Sequence, residues 1–139
     1  MIVVDTSSLV AIFRQEEDAA SHAQAIGADD QPRISAANVL ETSMVLRGLK
    51  RVSAAEAERW LDEFLHAGAI QIDPVTNQQT DLARHAHVQF GKGTGHSAQL
   101  NFGDCFAYAL AKALDVPLLF KGADFSHTDL RSVLSSPKF

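Results

Sequence analysis

Short apolar runs alternate along this chain with longer amphipathic ones, and the two periods predict strands and helices in turn. Ile2-Val3-Val4 is a strand-like run that stops at Asp5. The small polar set Thr6-Ser7-Ser8 then predicts a capped helix from about Leu9, with Val10 and Phe13 at helical spacing. A more polar helix is predicted over Glu17 to Ile26, ended by Gly27, with a turn from Ala28 to Pro32. Arg33-Ile34 predicts a short strand. Ser35 can cap a helix from Ala36 to about Lys50 whose apolar side carries Val39, Leu40, Val45, Leu46 and Leu49, with Glu41 in its second turn.

Ser53 and Glu56, then Thr76 and Gln79, have capping-box spacing and open predicted helices running to about Ala67 and Phe90. Between them Ala69 to Ile72 alternates like a strand, and Asp73-Pro74 turns. Gly91 to Gly95 is a loop. Leu100 to Asp104 leads into a strongly apolar helix ending near Leu114, and Asp115-Val116-Pro117 turns into the strand Leu118-Leu119-Phe120, closed by Lys121 to Asp124. Strands alternating with helices argue for an α/β sandwich with a mainly parallel sheet, whose ligand site lies beyond the carboxyl ends of the strands.

Length changes that picture little: 139 residues suit one domain over 1–139, and no repeat or linker divides them. A hydrophobic share of 46% supplies a core and excludes a disordered chain. No apolar run is long enough to cross a bilayer, so no membrane partner is expected. The single cysteine and the early Asp5, which interrupts any signal-peptide core, lead to a cytoplasmic expectation. With 12 Lys and Arg against 17 Asp and Glu, the net charge of −5 argues against a broad basic surface for polyanions. Any contact with nucleic acid must be local or metal-assisted.

Four acids end or interrupt apolar runs, where a carboxylate is costly without a partner: Asp5, Glu41, Asp104 and Asp124. Each has an ordinary reading, as a helix cap or a first-turn acid favoured by the helix dipole. Brought together they would repel, raising some of their pKa values, unless a divalent cation held them ionised. Oxygen-only ligands favour Mg2+ or Mn2+.

The segment Asp5-Thr6-Ser7-Ser8, Glu41 on an early helix, Asn101-Phe102-Gly103-Asp104-Cys105-Phe106-Ala107-Tyr108 and Leu118 to Phe125 resemble PIN-domain ribonucleases of the VapC toxin type. The resemblance spans the chain and is most specific from Asn101 to Lys112. It implies a PIN-like sandwich and a metal-dependent endoribonuclease from a toxin–antitoxin pair. Asp5, Glu41, Asp104 and Asp124 would be its catalytic and metal-holding acids, Mg2+ its cofactor with Mn2+ able to substitute, and RNA its substrate. A VapB-type antitoxin and a second copy of the chain are the implied partners. The chain departs from the family at Phe120-Lys121-Gly122-Ala123, where many members carry a hydroxyl or Asn before the last acid. Asp129 is therefore an alternative fourth ligand, and Asp124 is preferred because it directly follows the strand.

Two other functions are weighed. A receiver-like phosphoacceptor domain would use Asp73 at the third strand and a lysine such as Lys121, but Pro74 follows Asp73 and the acidic pair needed near residue 5 is absent. A PIN-like module without catalysis would only bind a partner, against which the four acids argue. Lys121, Lys92 and Arg14 are the cations that can lie near the pocket, each by itself an ordinary surface side chain. Gly91-Lys92-Gly93-Thr94 is no phosphate loop, since Ala86 stands where the motif needs glycine. His85 and His87 fall on nearly opposite helix faces, and His96 is a weak RNA-contact or general-acid candidate whose ordinary reading is a flexible surface histidine. Cys105, Trp60 and Phe64 are read as core, and Ser7 and Ser8 as capping groups or partners of Asp5.

Overall fold

The computed structural model describes residues 1–134. Its strands are β1 (Ile2–Val4), β2 (Pro32–Ser35), β3 (Gln71–Asp73) and β4 (Leu118–Leu119), and its helices are α1 (Thr6–Phe13), α2 (Ala19–Ala28), α3 (Ala36–Arg47), α4 (Ala54–Ala67), α5 (Asn77–Phe90) and α6 (Phe102–Leu114). A short 3₁₀ turn covers Asp124–His127. The sheet has the order β3-β2-β1-β4, with every pairing parallel. This is the α/β sandwich expected from the sequence.

Strand alternation explains the two cores. Val3 and Leu118 face a cluster built with Phe90, Ala107, Leu110 and Tyr108 of α5 and α6. Their neighbours Ile2, Val4 and Leu119 face the opposite side, where Leu9, Ile26, Leu61 and Leu65 of α1, α2 and α4 cover them. Strands covered on both faces read as continuous apolar runs, as Ile2-Val3-Val4 does. Trp60 stacks on Phe64 and meets the edge of Phe13 against this second core, as expected of core aromatics.

Several boundaries move for identifiable reasons. α1 starts at Thr6 rather than Leu9 because Asp5, not the serines, supplies the cap: its carboxylate accepts from the Ser7 N–H. Gly27 lies inside α2, which runs to Ala28. α3 ends at Arg47, three residues early, with Gly48 as its C-cap. β3 starts at Gln71 because the exit from α4 consumes the two preceding residues: Ala69 takes φ 51°, and the Ile70 N–H returns to the Leu65 carbonyl at 3.0 Å. Phe120 falls outside β4. Ser53 and Thr76 cap α4 and α5 as their spacing predicts.

α3 corrects the hydrophobic reading most. Of its five expected apolar positions, Leu40 is 60% exposed and Val45 39%, while Asn38, Thr42 and Ser43 are buried beside Leu46. The inward face is polar because it is wired rather than greased. The Asn38 carbonyl accepts from both the Thr6 and Thr42 hydroxyls, at 3.2 and 2.7 Å, tying α3 to α1.

Candidate active site

A cleft beyond the carboxyl ends of β1 and β4 is lined by Asp5, Glu41, Asp104 and Asp124, with Ser7, Asn101 and Lys121 around them. The four acids come from four segments: the end of β1, the second turn of α3, the first turn of α6 and the start of the 3₁₀ turn after β4. The parallel sheet is what converges them. Asp5 is 2% exposed. Its Oδ2 accepts from the Ser7 N–H at 3.0 Å and the Ser7 hydroxyl at 2.6 Å, while its buried Oδ1 has no partner. The Ser7 hydroxyl in turn accepts from the Lys121 N–H at 2.9 Å, so the cap of α1 also fixes the chain leaving β4. Asp104 sits at the third position of a complete capping box with Asn101. The cap and the site acid are thus the same residue, both at Asp5 and at Asp104.

The carboxylates feel one another. Burial raises the Asp5 pKa to about 7, with Asp104 and Glu41 adding repulsion and the Ser7 bonds opposing it. Burial likewise raises Asp104 to about 6, with Asp124 and Glu41 repelling its charge and the Asn101 N–H opposing. This metal-free coupling, the unpartnered buried oxygen of Asp5 and an all-oxygen donor set fit a hard divalent cation. In the side-chain positions seen, no three His, Cys, Asp or Glu side chains among the described residues are grouped tightly enough to grip an ion.

Lys121 is the one lysine or arginine lining the cleft among the described residues. Its ammonium is held by Asp18 at 3.0 Å and Glu16 at 3.5 Å, and Asp18 also meets the buried His22, which bonds Ser8. Lys92 and Arg14 do not line the cleft. Asp129, the alternative fourth acid, points elsewhere: it accepts from the Tyr108 hydroxyl at 2.6 Å and from the Lys112 ammonium at 2.9 Å. Asp73 is buried against Arg33, whose Nη1 reaches both its oxygens at 3.0 Å, so it is a register lock between β2 and β3 rather than a phosphoacceptor.

His96 is half-buried in its loop. Its Nδ1 accepts from the Ala98 N–H at 3.0 Å and its ring meets the edge of Phe90, in a loop closed by pairing of Gly91 with Leu100. His85 and His87 are exposed. Cys105 is buried, with its thiol pushed up to about 11 chiefly by burial, and is no nucleophile.

Two residues of the site escaped the sequence reading. Asn38 is fully buried and donates through Nδ2 to Glu41 Oε1 at 3.1 Å and to the Gly103 carbonyl at 3.0 Å. A Cβ on Gly103 would overlap the Glu41 carboxylate. The available signal was an amide one helical turn before Glu41, and a glycine where α6 begins.

A family model described as PIN domain matches residues 2–130. The chain is 45% identical over 133 residues to Ribonuclease VapC28 of Mycobacterium tuberculosis, covering 96% of this chain and 98% of that one. It is 38% identical over 130 residues to Ribonuclease VapC42 of the same organism, covering 94% and 97%. Among solved structures, Mycobacterium tuberculosis VapC20, described as a sarcin-ricin loop cleaving toxin, matches with a TM-score of 0.74 at 16% identity over 94% of this chain and 96% of that one. A chain of VapBC2 from Rickettsia felis, bound to a DNA fragment from their promoter, matches with a TM-score of 0.71 at 16% identity, covering 95% and 97%. At such identities the two structures share a fold with this chain.

Proposed function

The chain belongs to the PIN-domain family as an endoribonuclease toxin of the VapC type, and we propose that its acidic cleft cuts RNA with Asp5, Glu41, Asp104 and Asp124 as the catalytic, metal-holding carboxylates. The observation carrying this reading is that four acids from four separate segments line one cleft while the innermost keeps a buried oxygen free. Mg2+, or Mn2+ in its place, would supply a water of lowered pKa and positive charge for the phosphorus centre. Asp5 is oriented by the Ser7 bonds, so its free oxygen is presented without rotamer searching. Asp104 is oriented by the cap of α6, and Asp124 stands exposed at the mouth. Lys121, tethered to Glu16 and Asp18, is the cation placed to meet a substrate phosphate. A metal held by acids lets a protein of net charge −5 approach a polyanion locally.

RNA is therefore the proposed substrate, a VapB-type antitoxin the proposed neutralising partner, and a homodimer the proposed assembly. We also propose that residues 1–139 act as one domain, which the two cores sharing one sheet support for the described part. No helix among the described residues is long and apolar enough to cross a membrane, and action in the cytoplasm, where RNA and an antitoxin are at hand, belongs to the same proposal.

The decisive experiment incubates purified protein with total RNA, with and without Mg2+ or Mn2+, and maps the new ends. Metal-dependent cuts at defined positions are expected. Intact RNA in both metals would favour a module that binds without cutting.

A further inference from the structure

We infer that Asn38 and Gly103 form a seat that fixes the carboxylate of Glu41, with Asn38 as a positioning residue that sets the affinity of the cleft for its divalent cation. The inference rests on the proposed role of Glu41 as a metal-holding acid. Asn38 lies three residues before Glu41 on α3, so the two side chains share a face. A side-chain amide has two N–H donors, and both are spent: one on Glu41 Oε1 at 3.1 Å, the other on the Gly103 carbonyl at 3.0 Å. The opposite amide orientation would set an oxygen against two acceptors, so the nitrogen must face them.

The backbone holding this amide is itself anchored. The Asn38 carbonyl takes hydroxyl bonds from Thr6, directly after Asp5, and from Thr42. From the other side, α6 approaches Glu41 so closely at Gly103 that any side chain there would displace the carboxylate. Glu41 is thereby confined between a donor and a bare backbone, and the next residue of α6 is Asp104. One device sets the spacing of two site acids.

A role confined to packing fits Asn38 poorly. It is 0% exposed, yet its Oδ1 has no partner, a desolvation cost that an apolar side chain of similar size would avoid. What an apolar side chain could not do is donate to Glu41 while tying it to the Gly103 carbonyl of α6. Groups that orient metal ligands typically govern affinity by 10- to 100-fold, and a loss of about that size is expected here.

The test is calorimetric titration of Mn2+ into the full chain carrying Asn38→Ala, Glu41→Gln, or both, with the fold checked by circular dichroism. Asn38→Ala should weaken Mn2+ binding about tenfold or more and should add nothing in the Glu41→Gln background. If Asn38→Ala does not fold, Gly103→Ala, which displaces Glu41 from the opposite side, should show the same loss and the same absence of further loss with Glu41→Gln. Losses that add in the double variant, or unchanged affinity in the Asn38 or Gly103 variant, overturn the seat and leave Glu41 as a ligand. Unchanged affinity in Glu41→Gln alone overturns the ligand reading, and the seat with it.

Discussion

Asp104 and Asn101 exchange two hydrogen bonds at the start of α6: the Asn101 N–H donates to Asp104 Oδ2 at 3.0 Å, and the Asp104 N–H donates to Asn101 Oδ1 at 2.9 Å. Asp104 therefore caps a helix and lines the acidic cleft at once. The two roles pull its charge in opposite directions. A helix N-terminus favours the anion, whereas burial, Asp124 and Glu41 disfavour it, and the pKa near 6 shows the second set prevailing.

The substitutions separate the two roles. Asp104→Asn keeps an acceptor for the Asn101 N–H and removes the charge. In EDTA at pH 8 it should be as stable as the parent or more stable by up to about 1 kcal/mol, since less than the full pKa shift survives relaxation and salt. Asp104→Ala loses the cap and should fall about 1 kcal/mol below Asp104→Asn. Excess Mn2+ should reverse the order of parent and Asp104→Asn, because only the parent has the full ligand set. Thermal melts in the two conditions decide. An Asp104→Asn protein melting far below the parent in EDTA would mean that repulsion is not what the site stores.

Asp5 predicts the pH dependence of the metal-free protein. Its pKa rises from an ordinary 3.8 to about 7 on folding, so between those values the folded state binds more protons than the unfolded one. Stability must then fall as pH rises through this window and level off above it. Urea unfolding in EDTA at pH 5 and pH 8 should show the parent weaker at pH 8. Asp5→Asn, which keeps the Ser7 bond acceptor, should lose most of that difference and retain a smaller slope of the same sign from Asp104. An equal slope in parent and variant would exclude Asp5 as its source.

Activity should divide the acids as their positions do. Asp5→Asn, Glu41→Gln and Asp104→Asn should each lower metal-dependent RNA cleavage by at least about 100-fold, and EDTA should abolish it in the parent. Asp124→Asn belongs with them. Asp129→Asn should stay within a few-fold of the parent while losing about 1 kcal/mol of stability, because its bonds go to Tyr108 and Lys112. Gel assays on one RNA, paired with melts, would check this; an inactive but stable Asp129→Asn would return that residue to the site.

The sequence was most informative where local chemistry and tertiary packing agree. The run Ile2-Val3-Val4 reads as a doubly covered strand because both of its faces meet apolar helices. Ser53 and Thr76 start their helices where their spacing says. Each acid had an ordinary reading as a cap or first-turn residue, which Asp5 and Asp104 do fulfil, so only the family resemblance set the four together, and the fold brings them to one cleft. α3 was misread because hydrophobicity marks burial only where the buried partners are apolar. Leu40 and Met44 point outward, while Asn38 and Thr42 are buried by hydrogen bonds whose distant partners, Gly103 and Thr6, no periodicity reveals. His22, buried between Ser8 and Asp18, was silent for the same reason.

The outward face of α3 bears on assembly. Leu40 is 60% exposed, Met44 59% and Phe102 81%, and the three line one shallow apolar groove with Phe106, while Val88, 77% exposed, shares the next groove with Phe102 and Phe106. A contiguous apolar surface of this kind on a small domain is the face that the proposed homodimer would use, each copy covering the other's equivalent. Glu41 and Asn101 border this groove as well as the acidic cleft, so a dimer formed here would bring two clefts close together. In a two-fold interface each substitution acts twice. Met44→Glu should therefore weaken the dimer by about 100-fold or more while changing the melting temperature of the isolated protomer little, since its side chain is largely exposed. Sedimentation of parent and variant at micromolar concentration tests this. A monomeric parent sinks the dimer, and a Met44→Glu protein that stays dimeric moves the interface to another face.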